Sequence, residues 1–253
     1  MSSILPPAAL RKFANGAAVR LLHFIGYYSL LKRTDTRLIR IEGFELTINP
    51  TVYDPRYYRA PAYFAQFIAG LDLSGKTVAD VGTGSGLQAL AAVRAGAATV
   101  VAVDVNPHAV ATATINARAN GYERRVIALT SDLLSAIPPR PQFDVIVSNP
   151  PFCDGKAWDI ADRAWRAGPG YQDITPLFSQ ARKRLVSDGV MYLILSSHTD
   201  LEFIGAVIRR TGFEIRMVKE QRVFFETLVI FELRPTVENL RRQNDSSSEL
   251  VNY

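Results

Sequence analysis

At 253 residues, with 48% hydrophobic and 21% charged side chains, the chain suits one α/β domain with a sizeable core and a modest extension. Its net charge of +5 leans toward acidic partners such as RNA, DNA or an anionic membrane without selecting one of them. The single cysteine, Cys153, excludes an intrachain disulfide and a cysteine-ligated metal cluster, and fits a reducing cytoplasm. The most apolar N-terminal stretch, 21–31, has only about half the length that a membrane span needs. No small-residue cleavage site follows it, so neither a transmembrane segment nor a secretory signal is expected.

Within 7–32, Leu10, Phe13, Ala14 and Ala17, then Leu21, Leu22, Phe24, Ile25 and Tyr28, recur at helical spacing and predict one or two helices. Basic residues flank this face (Arg11, Lys12, Arg20, Lys32, Arg33). Residues 8–33 therefore suit a cap on the domain, a contact between copies of the chain, or a helix lying on a membrane surface. Two alternating runs at 37–48, joined at Glu42-Gly43, read as a hairpin. A helix follows at 60–71. From Thr77 onward, apolar strands (77–81, 99–105, 126–129, 143–147, 190–195) alternate with helices (87–95, 107–120, 174–185, 200–211). Continuous apolar strands alternating with helices predict a parallel sheet covered on both faces. The last two strands, 214–219 and 227–233, are joined too closely for a helical crossover and should pair antiparallel. We therefore divide the chain into an extension at 1–50, an α/β domain at 51–234 and a polar, serine-containing, disordered tail at 235–253.

Two loops carry the chemistry. After the first core strand, Gly82, Gly84 and Gly86 let the backbone turn sharply and approach a ligand, and the helix that follows presents its N-terminal amides. Asp104 ends the next strand, where a carboxylate can accept hydrogen bonds from both ribose hydroxyls. Together these features indicate an adenosine-containing cofactor, and the G-x-G-x-G spacing departs from the dinucleotide G-x-G-x-x-G. The second loop is Asn149-Pro150-Pro151-Phe152, directly after a buried strand. Its prolines fix φ, lack N–H donors and turn the chain out of the sheet at the edge where α/β sheets bind ligands. The Pro150 carbonyl and the Asn149 side-chain oxygen remain as acceptors for the two hydrogens of an –NH2 group, and Phe152 offers a flat face for a planar amide or base.

Asp80 through Gly86, Asp104 through Pro107, and Asn149 through Phe152 together resemble the NPPY/NPPF class I methyltransferases. Within them the resemblance is to the HemK-like glutamine methyltransferases of translation release factors, in their short eukaryotic and archaeal branch. Val52-Tyr53-Asp54-Pro55 is similar to that branch's V-Y-x-P segment, and Ala164-Trp165 with Gly168 and Gly170 to its A-W-x-G-G stretch; the likeness covers roughly 51–233. It implies a Rossmann-like α/β fold with a seven-stranded, mostly parallel sheet and an antiparallel C-terminal strand. It also implies S-adenosylmethionine as cofactor, held by Asp80, Gly82, Thr83, Gly84, Gly86, Asp104, Val105, Asp132, Leu133 and Asn149. Asp132 would meet the adenine amino group. Asn149, Pro150 and Phe152 would be catalytic, with Pro151, Tyr53 and Trp165 on the substrate side. No strong general base is needed, because a neutral thioether leaves from a cation and positioning with electrostatics suffices. The chain differs from the branch in Arg56-Tyr57-Tyr58-Arg59 where the relatives have x-E-D-T, in Phe152 for the usual tyrosine, and in Ala167 where the first glycine of the pair falls.

The function expected is N-methylation of a planar amide or amino nitrogen of a protein or small molecule. RNA or DNA exocyclic-amino methylation, methylation of an apolar substrate at a membrane, and a cofactor-binding partner without activity stand as alternatives. Cys153 reads as a small apolar filler. His23, His108 and His198 lack metal-ligand spacing, so no metal is expected. Arg163, Arg166, Arg182 and Arg184 either rim the substrate mouth or are solvated faces.

Overall fold

The computed structural model describes residues 27–28, 32–223 and 226–236. The helices expected in 7–32, with their proposed membrane or inter-copy contact, lie outside the described residues except at Tyr27, Tyr28 and Lys32, and so does the tail beyond Thr236.

A hairpin of β1 (Arg37–Ile41) and β2 (Phe44–Ile48) precedes α1 (Arg59–Ala69). Its two-residue turn places Glu42 at φ 50° and Gly43 at φ 78°, the left-handed pair that matches the twist of the flanking strands. The main sheet alternates β3 (Thr77–Val81), α2 (Leu87–Arg94), β4 (Thr99–Asp104), α3 (Pro107–Ala119), β5 (Val126–Thr130) and β6 (Phe143–Ser148). It closes with α4 (Pro176–Arg182), β7 (Leu185–Ser196), α5 (Leu201–Arg210), β8 (Phe213–Val223) and β9 (Glu226–Pro235). The seven strands lie in the order β5-β4-β3-β6-β7-β9-β8. All neighbours pair parallel up to β7; β9 then runs antiparallel between β7 and β8. This is the seven-stranded, mostly parallel architecture expected from the sequence.

Period-2 alternation sorts the strand residues between two cores. Val78, Val145, Val147 and Ile194 pack with Phe64 and Ile68 of α1, Leu87 and Leu90 of α2, and Leu46 and Ile48 of the hairpin. Ala79, Ile146, Met191 and Leu193 face the other way, onto Leu177 and Phe178 of α4 and Ile204 and Ile208 of α5. One side chain ties the hairpin directly to the glycine loop. Asn116, with no exposed surface, accepts from Thr47 N at 2.7 Å and donates to Thr47 O at 2.9 Å and to Ser85 O at 2.8 Å.

Two element boundaries differ from the sequence reading. Helix α4 stops at Arg182, and Leu185 already pairs with Phe143, whereas Val190 pairs with Val145. The irregular pairing around Gly189, where a Cβ would stand 3.1 Å from Phe143 O, hides the start of β7 from a period-based reading. Strands β8 and β9 run to 11 and 10 residues, longer than expected; in β8 a register shift between Met217 and Lys219 interrupts the alternation.

Candidate active site

Strand order reverses at the β3/β6 boundary, with β4 and β5 on one side and β7, β9 and β8 on the other. An open α/β sheet has its ligand crevice at the carboxyl ends of the strands there. Val81 and Ser148 are register partners at those ends, and Ser148 Oγ donates to Val81 O at 2.9 Å. The glycine loop and the Asn149 loop therefore leave the sheet side by side, and one cavity is lined by both.

On the glycine side, Gly82 N and Thr83 N both donate to Val103 O, at 2.9 and 3.0 Å. Gly82 (φ 76°) and Gly84 (φ 53°) adopt left-handed backbone, and a Cβ built on either meets nothing within 4 Å. The space above the loop is thus open to a ligand. Gly86 (φ 84°) serves a different end: its Cβ would stand 3.1 Å from the Ala113 backbone, so it permits α2 to pack on α3 and does not line the cavity. Nor does Asp80 line it. Its buried carboxylate accepts from Thr83 Oγ1 at 2.6 Å and Ala89 N at 3.1 Å, holding the loop from behind. Burial pushes its pKa up to about 7 despite those two donors.

Asp104 does line the cavity. Its carboxylate accepts from Gly84 N and Asn106 N, each at 2.9 Å, and burial raises its pKa. Val105, Ser131, Asp132 and Leu133 continue the same wall. Leu133 has φ 53°, a strained conformation for a branched side chain. Asp132 is exposed, and its Oδ1 lies 3.9 Å from Arg163 Nη2. This donor and acceptor set fits S-adenosylmethionine. Open space lies over Gly82 and Gly84, a rigidly held carboxylate stands at the end of β4, an apolar wall follows, and an exposed acid lies beyond it.

The opposite wall is built from remote parts of the chain. Asn149, Pro150, Pro151 and Phe152 line it, together with Tyr53, Tyr58, Trp165, Ser196 and Glu226. The rings of Tyr53 and Trp165 both pack on Tyr58, with centroids 5.8 and 6.0 Å away, and Phe152 lies 6.4 Å from Tyr58. Burial raises the pKa of both tyrosines, so they remain neutral phenols. The chain beyond Phe152 is held against the Trp165 segment: Cys153 N donates to Trp165 O at 2.9 Å and Ala167 N to Cys153 O at 2.8 Å. A Cβ on Gly168 would stand 2.6 Å from Asp173 Cγ, so only glycine closes this turn. The Tyr53 segment is pinned through Asp54, which is fully buried between Arg56 (2.8 Å) and Arg33 (3.6 Å).

Of the residues expected to form the site, all but Asp80 and Gly86 line the cavity. The four-arginine rim is corrected. Arg163 and Arg166 line the cavity, but Arg182 and Arg184 are buried elsewhere, and Arg184 donates to Ile137 O and Gln180 O. Cys153 is half-buried with its thiol pKa pushed up to about 11 by burial, which suits a filler rather than a nucleophile. Sequence reasoning missed Ser196 and Glu226, neither of which carries a local motif, whereas Tyr58 stood out as part of the Arg56–Arg59 departure from the relatives' x-E-D-T and does line the cavity. Among the described residues no cluster of His, Cys, Asp or Glu forms a metal site, and no helix is long and apolar enough to cross a membrane.

The comparisons agree with this geometry. Residues 65–225 match the methyltransferase small domain family. A Methanocaldococcus jannaschii protein named as a candidate protein N5-glutamine methyltransferase is 30% identical over 198 residues, covering 76% of this chain and 96% of the relative. The structure of the T. thermophilus 16S rRNA N2 G1207 methyltransferase in complex with AdoMet and guanosine superposes with a TM-score of 0.59 at 25% identity. It covers 79% of this chain and 50% of that one. Ribosomal protein L11 methylase from Lactobacillus delbrueckii subsp. bulgaricus shares the fold at 21% identity and a TM-score of 0.56, covering 75% and 84%. The chain belongs to the methyltransferase small domain family and is an S-adenosylmethionine-dependent methyltransferase.

Proposed function

We propose that the chain methylates the side-chain amide nitrogen of glutamine in a protein, as a member of the HemK-like branch. The observation that carries this reading is the acceptor pair at Asn149 and Pro150, set at the end of β6 beside an aromatic wall and facing the glycine loop across one cavity. The match to the M. jannaschii relative along nearly its whole length supports the same choice.

When bound, the cofactor supplies a methyl group on a sulfonium. Asp104 would hold its ribose, Asp132 its adenine amino group and the backbone at Gly82, Thr83 and Gly84 its amino-acid end, while Val105 and Leu133 flank the base. Asp80 positions the loop without touching the ligand. The side-chain oxygen of Asn149 and the carbonyl of Pro150 would take both amide hydrogens, turning the nitrogen lone pair toward the methyl group. Phe152 and Pro151 flank the planar amide, with Tyr53, Tyr58 and Trp165 excluding water behind it. The amide proton leaves to solvent after transfer, when the methylated nitrogen is acidic enough to need no dedicated base.

The net charge of +5 and the likeness to an rRNA methyltransferase favour a second reading, an exocyclic amino group of RNA. Incubation with methyl-labelled S-adenosylmethionine and cell lysate separates the two. Label in protease-sensitive material that maps to N5-methylglutamine by mass spectrometry is the expected result; label confined to RNase-sensitive material would refute the protein assignment.

A further inference from the structure

The acceptor end of the cavity holds one negative charge that the methyl-transfer reading does not use. Glu226 opens β9, where it pairs with Val223 of β8 and lies two residues before Leu228, the partner of Ser196 at the end of β7. Its Oε2 accepts a hydrogen bond from Ser196 Oγ at 2.7 Å. Among the described residues this is its one hydrogen bond, and it has no ion pair. The carboxylate is half-buried, lines the cavity and lies close enough to Tyr53 and Tyr58 for its charge to bear on both phenols.

The cations nearby are already engaged. Arg163 faces Asp132 at 3.9 Å and Asp173 at 3.8 Å, and Arg166 Nη1 donates to Asp154 O at 2.7 Å. A half-buried carboxylate with one free oxygen, near Tyr53 and Tyr58 in a cavity that Trp165 also lines, has the chemistry that recognises an organic cation. The charge attracts it, the ring faces add cation–π stabilisation, and partial removal from water strengthens both.

We propose that Glu226 selects the substrate by pairing with a guanidinium or ammonium side chain that flanks the methylated glutamine, so that the preferred acceptor is a basic peptide segment. The proposal rests on the protein-glutamine reading and is tested apart from it. Ser196 acts here as a positioning residue, fixing the carboxylate so that its free oxygen meets the ligand.

The experiment titrates three peptides, acetyl-Ala-X-Gln-X-Ala-amide with X as Arg, Ser or Glu, into the full chain loaded with S-adenosylhomocysteine, by calorimetry. The Arg peptide should bind about tenfold tighter than the Ser peptide, and the Glu peptide more weakly than either. In Glu226→Gln, which keeps the size and the Ser196 contact, the Arg-to-Ser ratio should fall to within about twofold of unity while affinity for S-adenosylhomocysteine is unchanged. An equal affinity of wild type for all three peptides, the same ratio in wild type and Glu226→Gln, or no binding of any peptide would overturn the proposal. The glutamine reading is scored separately, by mass spectrometry after exchange into S-adenosylmethionine. An Arg peptide that binds through Glu226 but stays unmethylated keeps this inference and removes that one.

Discussion

The two walls of the cavity are built in opposite ways. The cofactor side is local: residues 80–89 hold their own shape through Asp80, Thr83 and Ala89, and β4 adds Val103 O and Asp104 from the neighbouring strand. The acceptor side draws Tyr53, Tyr58, Phe152, Trp165, Ser196 and Glu226 from five separated stretches of chain. A wall made from the ends of three adjacent parallel strands, β3, β4 and β5, is constrained by a few short-range rules. A wall made from distant segments changes with any of them. Cofactor chemistry is thus expected to survive changes that redirect the recipient.

This contrast can be broken by mutation. The largest effect is expected on the acceptor side, where Asn149→Ala removes one of the two acceptors proposed for the substrate's amide hydrogens and should lower kcat by about 100-fold or more, measured by transfer of labelled methyl at saturating cofactor. The next is on the cofactor side. Asp104→Ala should weaken S-adenosylmethionine binding roughly 10- to 100-fold through the loss of charge-assisted hydrogen bonds, with kcat at saturating cofactor close to wild type. If Asp104→Ala lowers kcat as strongly as it raises KM for the cofactor, the two walls are not separable.

Smaller effects divide the glycines. Both Gly84 and Gly86 have left-handed backbone, but only Gly86 would press a Cβ onto Ala113. Gly86→Ala should therefore cost about 2–3 kcal/mol in chemical denaturation, combining backbone strain with the contact. Gly84→Ala should cost about 1–2 kcal/mol and show its main effect in cofactor affinity. Equal destabilisation by the two would contradict the division.

A separate effect is a pH slope. The buried Asp80 carboxyl titrates near pH 7 in the fold and near 3.8 in the unfolded chain, so the folded state binds more protons between those values. Its contribution to stability is present below about pH 4 and is lost as pH rises through about 7. The Tm of the wild type should carry this declining component, and Asp80→Asn should remove it. A slope identical in both proteins would show that Asp80 is ionised in the fold across that range.

The same contrast explains what was legible in the sequence. Continuous apolar strands alternating with helices were enough for the sheet, and three glycines followed by Asp104 were enough for the cofactor loop, because each signal lies within one βα unit. The Asn149-Pro150-Pro151-Phe152 turn was legible because two prolines after a buried strand permit few conformations. Gly189 and the register shift at Met217 hid the true start of β7 and the length of β8, since irregular pairing breaks the period on which such readings depend. Asp80 was placed among the cofactor contacts on resemblance and Gly86 with the other loop glycines, whereas neither lines the cavity. Ser196 and Glu226 were invisible because they meet only through the tertiary fold, and no spacing along the chain records that meeting.

The central claim is that cofactor binding and methyl transfer rest on separate walls, and it is tested most directly by titrating S-adenosylhomocysteine into Asn149→Ala by calorimetry. The account predicts a Kd within about twofold of wild type in a protein that no longer transfers methyl groups. A Kd weakened tenfold or more would show that Asn149 holds the cofactor itself and would contradict the division of the site into two walls.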